Sequence, residues 1–133
     1  MREILFRGKR FFDGEWVDGS LFIDEKKDKH EILAGYVNYR VGWEVVPETV
    51  GQFTGLTDKN GKKIFEDDIV VICYETNGED FLETKRVHYN AKECCWYPMR
   101  WEECCEHCDY YTEVISIEVI GNIHDNPELL EVE

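Results

Sequence analysis

Residues Pro47–Ile72 read PETVGQFTGLTDKNGKKIFEDDIVVI. This stretch decides the fold. Thr49–Thr54 has the composition of a strand. Asp58-Lys59-Asn60-Gly61 follows, and Asn-Gly is the strongest short turn signal because both residues tolerate positive φ. Ile64-Phe65 is apolar and Glu66-Asp67-Asp68 is acidic. Ile69-Val70-Val71-Ile72 is a run of β-branched residues, which predicts a strand buried on both faces or nearly so. A turn this strong beside a strand this apolar predicts a hairpin-containing β core.

Outward from this stretch, the chain repeats the same grammar. Glu3–Arg7 predicts a first short strand, turned by Gly8-Lys9-Arg10, and Asp13-Gly14 signals a hairpin. Glu15–Asp24 predicts a strand, and Asp24–Glu31 a solvated charged turn. Ile32–Tyr39 and Trp43–Val46 carry β composition up to Pro47, which stops it. Beyond Ile72, the strand ends at the second Asn-Gly turn, Asn77-Gly78, and Phe81–Tyr89 returns antiparallel. Residues 90–111 are irregular. Ile115, Ile117 and Val119 alternate with Ser116 and Glu118, the pattern of a half-buried strand. Asn126-Pro127-Glu128 predicts the start of a short C-terminal helix, with Asn126 as N-cap and Pro127 at the first helical position.

The expected class is therefore mainly β. The expected architecture is a small SH3-like barrel with an N-terminal β subregion, residues 1–46, and a core with a short C-terminal helix, residues 47–133, all in one domain.

Three segments carry a family resemblance. They are PETVGQFTGLTDKNGKKIFEDDIV from Pro47, REILFRGKRFFDGEWVDG near the start, and VIGNIHDNPELL from Val119. Together they resemble the YopX family, small proteins encoded by bacteriophages and prophages. One residue departs from the pattern: Asp67 stands where the family usually has Gly before Asp-Ile-Val. Asp is among the few residues that tolerate positive φ. The resemblance implies a fold and a phage context. It brings no established activity, and hence no catalytic, cofactor or metal residues.

Composition bounds the function. The chain has 133 residues, enough for one core. Its 29 acidic against 15 basic residues give a formal charge of −14. That balance argues against direct binding to a phosphate backbone and points to a basic partner, a host or phage protein. No signal segment or transmembrane-length apolar run is present, so a cytoplasmic location and reduced cysteines are expected.

Two clusters could carry chemistry. Cys94, Cys95, Cys104, Cys105, His107 and Cys108 include one C-x-x-C, but the first pair is adjacent, unlike the paired C-x-x-C of a zinc ribbon. A loop with reduced thiols, aromatic residues packed beneath it, is the expectation, and the loop between Cys94 and Cys108 is expected to be dispensable. Glu66-Asp67-Asp68, with Glu48 and Asp58, offers carboxylates for acid–base or divalent-metal work, but such residues before a buried strand usually accept backbone N–H bonds. The favoured function is a non-enzymatic, macromolecule-binding module without a cofactor. The alternatives are a small-substrate or metal-dependent enzyme using Asp67 and Asp68, and a homo-oligomeric structural protein.

Overall fold

The computed structural model describes residues 3–33, 42–76, 78–98 and 112–130, with backbone alone at 112 and 113. The described chain is mainly β and forms two compact units, Met1–Gly55 and Leu56–Glu133. No helix among the described residues is long and apolar enough to cross a membrane.

In the N-terminal unit, five strands pair in the order β4-β3-β2-β1-β5: β1 (Phe6–Lys9), β2 (Trp16–Asp24), β3 (Lys29–Leu33), β4 (Gly42–Val45) and β5, which begins at Gly51 and runs to Thr57. Each of these pairings is antiparallel. Gly8-Lys9-Arg10 was expected to turn the chain. Instead, Gly8 and Lys9 lie in β1, and the reversal comes at residues 11–15, where Gly14 adopts φ 74°. Gly8 is buried against Val45, and a Cβ there would lie 3.0 Å from the Val45 side chain. The core of this unit is Ile32, Val45 and Phe53. Thr49, in a 3₁₀ turn at Pro47–Thr49, fastens it: its hydroxyl accepts the Lys9 N–H at 2.9 Å and donates to the Val46 carbonyl at 2.6 Å.

The C-terminal unit contains β6 (Lys63–Phe65), β7 (Asp68–Thr76), β8 (Glu79–Arg86), β9 (His88–Asn90), β10 (Cys95–Tyr97) and β11 (Thr112–Asn122). A three-stranded antiparallel sheet has the order β11-β7-β8, and β9 and β10 form a separate hairpin. Ile69, Val70 and Ile72 of β7 are fully buried, as the β-branched run predicts. Ile64, Val70, Ile72 and Val87 form the core, with Tyr74, Trp96, Val114, Ile117 and Val119 packed against it.

Among the described residues no closed barrel forms. β7 and β8 pair without a break from Ile69↔Arg86 to Thr76↔Glu79, and among the described residues no further strand joins the outer edge of β8. Among the described strands the sheet therefore stays open. The β11–β7 register shifts twice, between Val114 and Ser116 and between Val119 and Gly121. The expected C-terminal helix is, in its described part, a single 3₁₀ turn, Pro127–Leu130. Asn126 does not cap it in the expected way: its Oδ1 faces back to the Asn122 N–H at 3.4 Å.

Residues 94–98 also correct an expectation. Cys95–Tyr97 form the short strand β10, with Cys94 before it and Pro98 after it, where a loop was expected. Cys95 is 7% exposed and Trp96 lies on the core. Cys104, Cys105, His107 and Cys108 lie outside the described residues, as do 34–41, which include most of the expected Ile32–Tyr39 strand.

Candidate interaction surface

Two of the carboxylates singled out in the sequence, Asp58 and Asp68, are spent on the backbone. Asp58 opens the Asn60-Gly61 turn: its Oδ1 accepts the N–H groups of Asn60 and Lys62, both at 2.9 Å, and its Oδ2 accepts Val119 N–H at 3.0 Å. Burial pushes its pKa up, but the N–H bonds from Val119, Lys62 and Asn60 outweigh burial, and the carboxyl is held below its ordinary value. The same turn grips β11 twice, because Lys59 N–H donates to the Ile117 carbonyl at 3.0 Å. Asp68 is 1% exposed and accepts Phe65 N–H at 2.8 Å.

Asp67 has φ 72°, a left-handed backbone that glycine adopts freely and aspartate tolerates. Its N–H donates to Val87 O at 2.9 Å and its carbonyl accepts Ile123 N–H at 3.0 Å. Its carboxylate takes Arg86 Nη2 at 2.7 Å and Nε at 3.0 Å, and lies 3.5 Å from His124 Nε2. The turn is thus a junction of three segments of the C-terminal unit. Glu48 lies in the 3₁₀ turn of the N-terminal unit, and the half-buried Glu66 precedes the junction.

A shallow hollow of about 290 Å³ runs beside β11 and is lined by Thr57, Asp58, Lys59, Val114, Ser116 and Ile117, among others. Its charged groups are committed, Asp58 to the backbone and Lys59 Nζ to Glu118 at 2.9 Å. No group of three or more His, Cys, Asp or Glu suited to a metal occurs among the described residues. Cys94 is exposed at φ 54° and its thiol faces the Ala91 carbonyl, while Cys95 is buried.

The feature that sequence reasoning missed is the acidic end of the β7–β8 hairpin. Register places Glu75 directly opposite Asp80, and Glu79 follows opposite Thr76. Like charges directly opposite each other destabilise a sheet, and no ion pair to a described residue relieves Glu75, Glu79 or Asp80. Farther along, Glu83 is engaged by Tyr74 hydroxyl at 2.9 Å and by Lys85 at 3.5 Å. Beside these acids stand apolar groups in solvent: Leu82, opposite Cys73, is 71% exposed, and Phe81, stacked on Tyr74 with ring centroids 5.5 Å apart, is 42% exposed. The signal was available in the sequence, as acids on both sides of the Asn77-Gly78 turn, but only register sets Glu75 against Asp80.

A second missed cluster lies in the N-terminal unit. Arg7 and Lys9 sit over the Trp16 ring at 4.8 and 5.5 Å, and Arg10 sits over Trp43 at 4.4 Å and Phe12 at 5.4 Å while it also pairs with Asp13. These cations are already occupied by aromatic faces.

The crystal structure of protein EF1440 from Enterococcus faecalis is similar in fold, with a TM-score of 0.55 and 23% identity, covering 98% of this chain and 99% of that one. No curated protein matches the chain. The model of the family described as YopX protein matches residues 5–131, and the chain belongs to that family.

Proposed function

We propose that this YopX-family protein is a phage-encoded, cytoplasmic, non-enzymatic module that binds a basic protein surface through the acidic end of the β7–β8 hairpin. The observation that carries this reading is the Glu75–Asp80 cross-strand pair, with Glu79 beside it. A fold gains nothing from opposing two carboxylates, and a cationic partner would turn that cost into attraction. Leu82, on the same face of β8 as Asp80, supplies adjoining apolar contact, as interfaces combine an apolar centre with a polar rim. The net charge of −14 adds long-range steering toward such a partner and away from nucleic acid. The non-enzymatic reading is favoured over an enzyme at Asp67 and Asp68 because Asp68 bonds the Phe65 N–H and Asp67 bonds Arg86.

Affinity capture from bacterial host lysate, at low and at moderate salt, tests the reading. The wild-type protein should enrich one or more basic proteins, less so at the higher salt. A Glu75→Lys/Asp80→Lys variant should lose them while staying folded. Enrichment of nothing at either salt, or the same proteins on the variant, overturns the proposal.

A further inference from the structure

We infer that β8 pairs antiparallel with β8 of a second copy, about a two-fold axis at Leu82, giving a continuous six-stranded sheet across a homodimer. The reasoning starts from the edge. β8 spans eight residues, its pairing with β7 has no bulge, and it contains no proline. Such an edge presents a row of backbone donors and acceptors ready for another strand. The usual safeguard is charge, and β8 has charges, but their order is particular: Glu79 and Asp80 at one end, Lys85 and Arg86 at the other. An antiparallel copy of the same strand reverses that order and sets acids against bases. A parallel copy in register would set like against like.

Symmetry then fixes the register. A two-fold axis perpendicular to a sheet keeps every side chain on its own face, so the residue at the axis must oppose itself. Centring on Phe81 would oppose Glu79 to Glu83. Centring on Glu83 would oppose that carboxylate to its own copy. Centring on Thr84 leaves Glu79–Phe81 beyond the partner strand's end and shortens the overlap. Centring on Leu82 opposes Leu82 to Leu82, Phe81 to Glu83, Asp80 to Thr84 and Glu79 to Lys85, the last pair occurring twice by symmetry. No like charges meet. Leu82, the most exposed of the large apolar residues in the C-terminal unit at 71%, becomes the centre of the contact. Arg86 lies just outside this stretch, still held by Asp67.

Sedimentation and light scattering over a range of concentrations, under reducing conditions, test this pairing. The wild-type chain should be a dimer. Glu79→Lys and Lys85→Glu should each weaken the dimer by about tenfold or more, because two attractive pairs become repulsive. An equimolar mixture of the two variants should recover it. At one end of the mixed dimer the lysine introduced at position 79 meets the glutamate introduced at position 85, and the native pair stands at the other end. A general loss of structure could not produce that recovery. Leu82→Lys, at a solvent-exposed position, should also dissociate the dimer while the circular dichroism stays native. A wild-type monomer at concentrations up to about 1 mM overturns the inference. So does a dimer that Leu82→Lys leaves intact, or variants that fail to recover on mixing.

Discussion

Arg86 Nη2 and Nε both donate to one oxygen of Asp67, at 2.7 and 3.0 Å, so the last residue of β8 is tied to a residue whose backbone stands at φ 72°. The geometry explains how an aspartate serves at a left-handed position that suits glycine. Left-handed backbone costs a non-glycine residue about 1 kcal/mol or more, and the Arg86 pair offsets part of that. Arg86 is half exposed, so the pair contributes about 1 kcal/mol at most.

Asp67→Gly should therefore be close to neutral, within about 1 kcal/mol, relieving the backbone while losing the pair. Asp67→Val should destabilise by about 2 kcal/mol or more, since a β-branched side chain resists positive φ and supplies no partner for Arg86. Urea denaturation of both variants checks the contrast. Equal losses for Gly and Val would show that the carboxylate, and not the backbone, governs the turn.

At Gly19 a single added methyl group should already be costly. A Cβ built there would sit 2.4 Å from the carbonyl oxygen of Leu33 and 3.2 Å from Ile32. The obstructing atom is backbone, so relief requires β2 and β3 to part. Gly19→Ala should cost about 1–3 kcal/mol, read as a drop in the denaturation midpoint. A variant as stable as the wild type would show that the β2–β3 pairing yields without cost.

Trp96 turns the corrected loop into a measurement. It packs against the Ile64–Val70–Ile72–Val87 core from β10, and its ring meets Tyr89 edge-on with centroids 5.3 Å apart. Trp96→Ala should destabilise by about 2–4 kcal/mol, whereas Cys94→Ala, at an exposed turn, should change stability by less than about 1 kcal/mol. Thermal unfolding of the pair decides whether this segment is structural. A Trp96→Ala protein with unchanged melting temperature would restore the view that it is dispensable.

These cases separate what the sequence conveyed from what it withheld. Local signals were legible: Asn60-Gly61 turns with Gly61 at φ 83°, Gly14 and Gly78 likewise adopt positive φ, and the β-branched run Ile69–Ile72 is the buried strand. Each rests on a residue's own backbone preference or hydrophobicity. The long-range features were not legible. Nothing local tells that Asp58 reaches Val119, 61 residues on, or that Glu75 will face Asp80. The closed barrel was expected from strand count and spacing, which cannot say whether an edge finds a partner. Strand β10 was hidden because its three residues, Cys95–Tyr97, come after a turn and carry no alternation.

Asp58 yields a prediction in pH. Its two oxygens accept three backbone N–H groups, from Asn60, Lys62 and Val119, and it is 7% exposed. In Asp58→Asn the amide can replace one oxygen only, leaving N–H against N–H at the other. The cost near neutral pH should be about 1–3 kcal/mol. The carboxyl's pKa is lowered in the folded chain from an ordinary value of 3.8, so the unfolded chain takes up this proton first as pH falls. Stability contributed by Asp58 is therefore complete above the unfolded value and is lost as pH falls from about 3.8 through the lower folded value. Asparagine has no such proton. The stability gap between wild type and Asp58→Asn should accordingly be widest near neutrality and narrow below about pH 4. Denaturant unfolding of both proteins at stepped pH measures it. A gap that stays constant into strong acid, or widens there, would show that the three N–H bonds do not select the charged carboxylate.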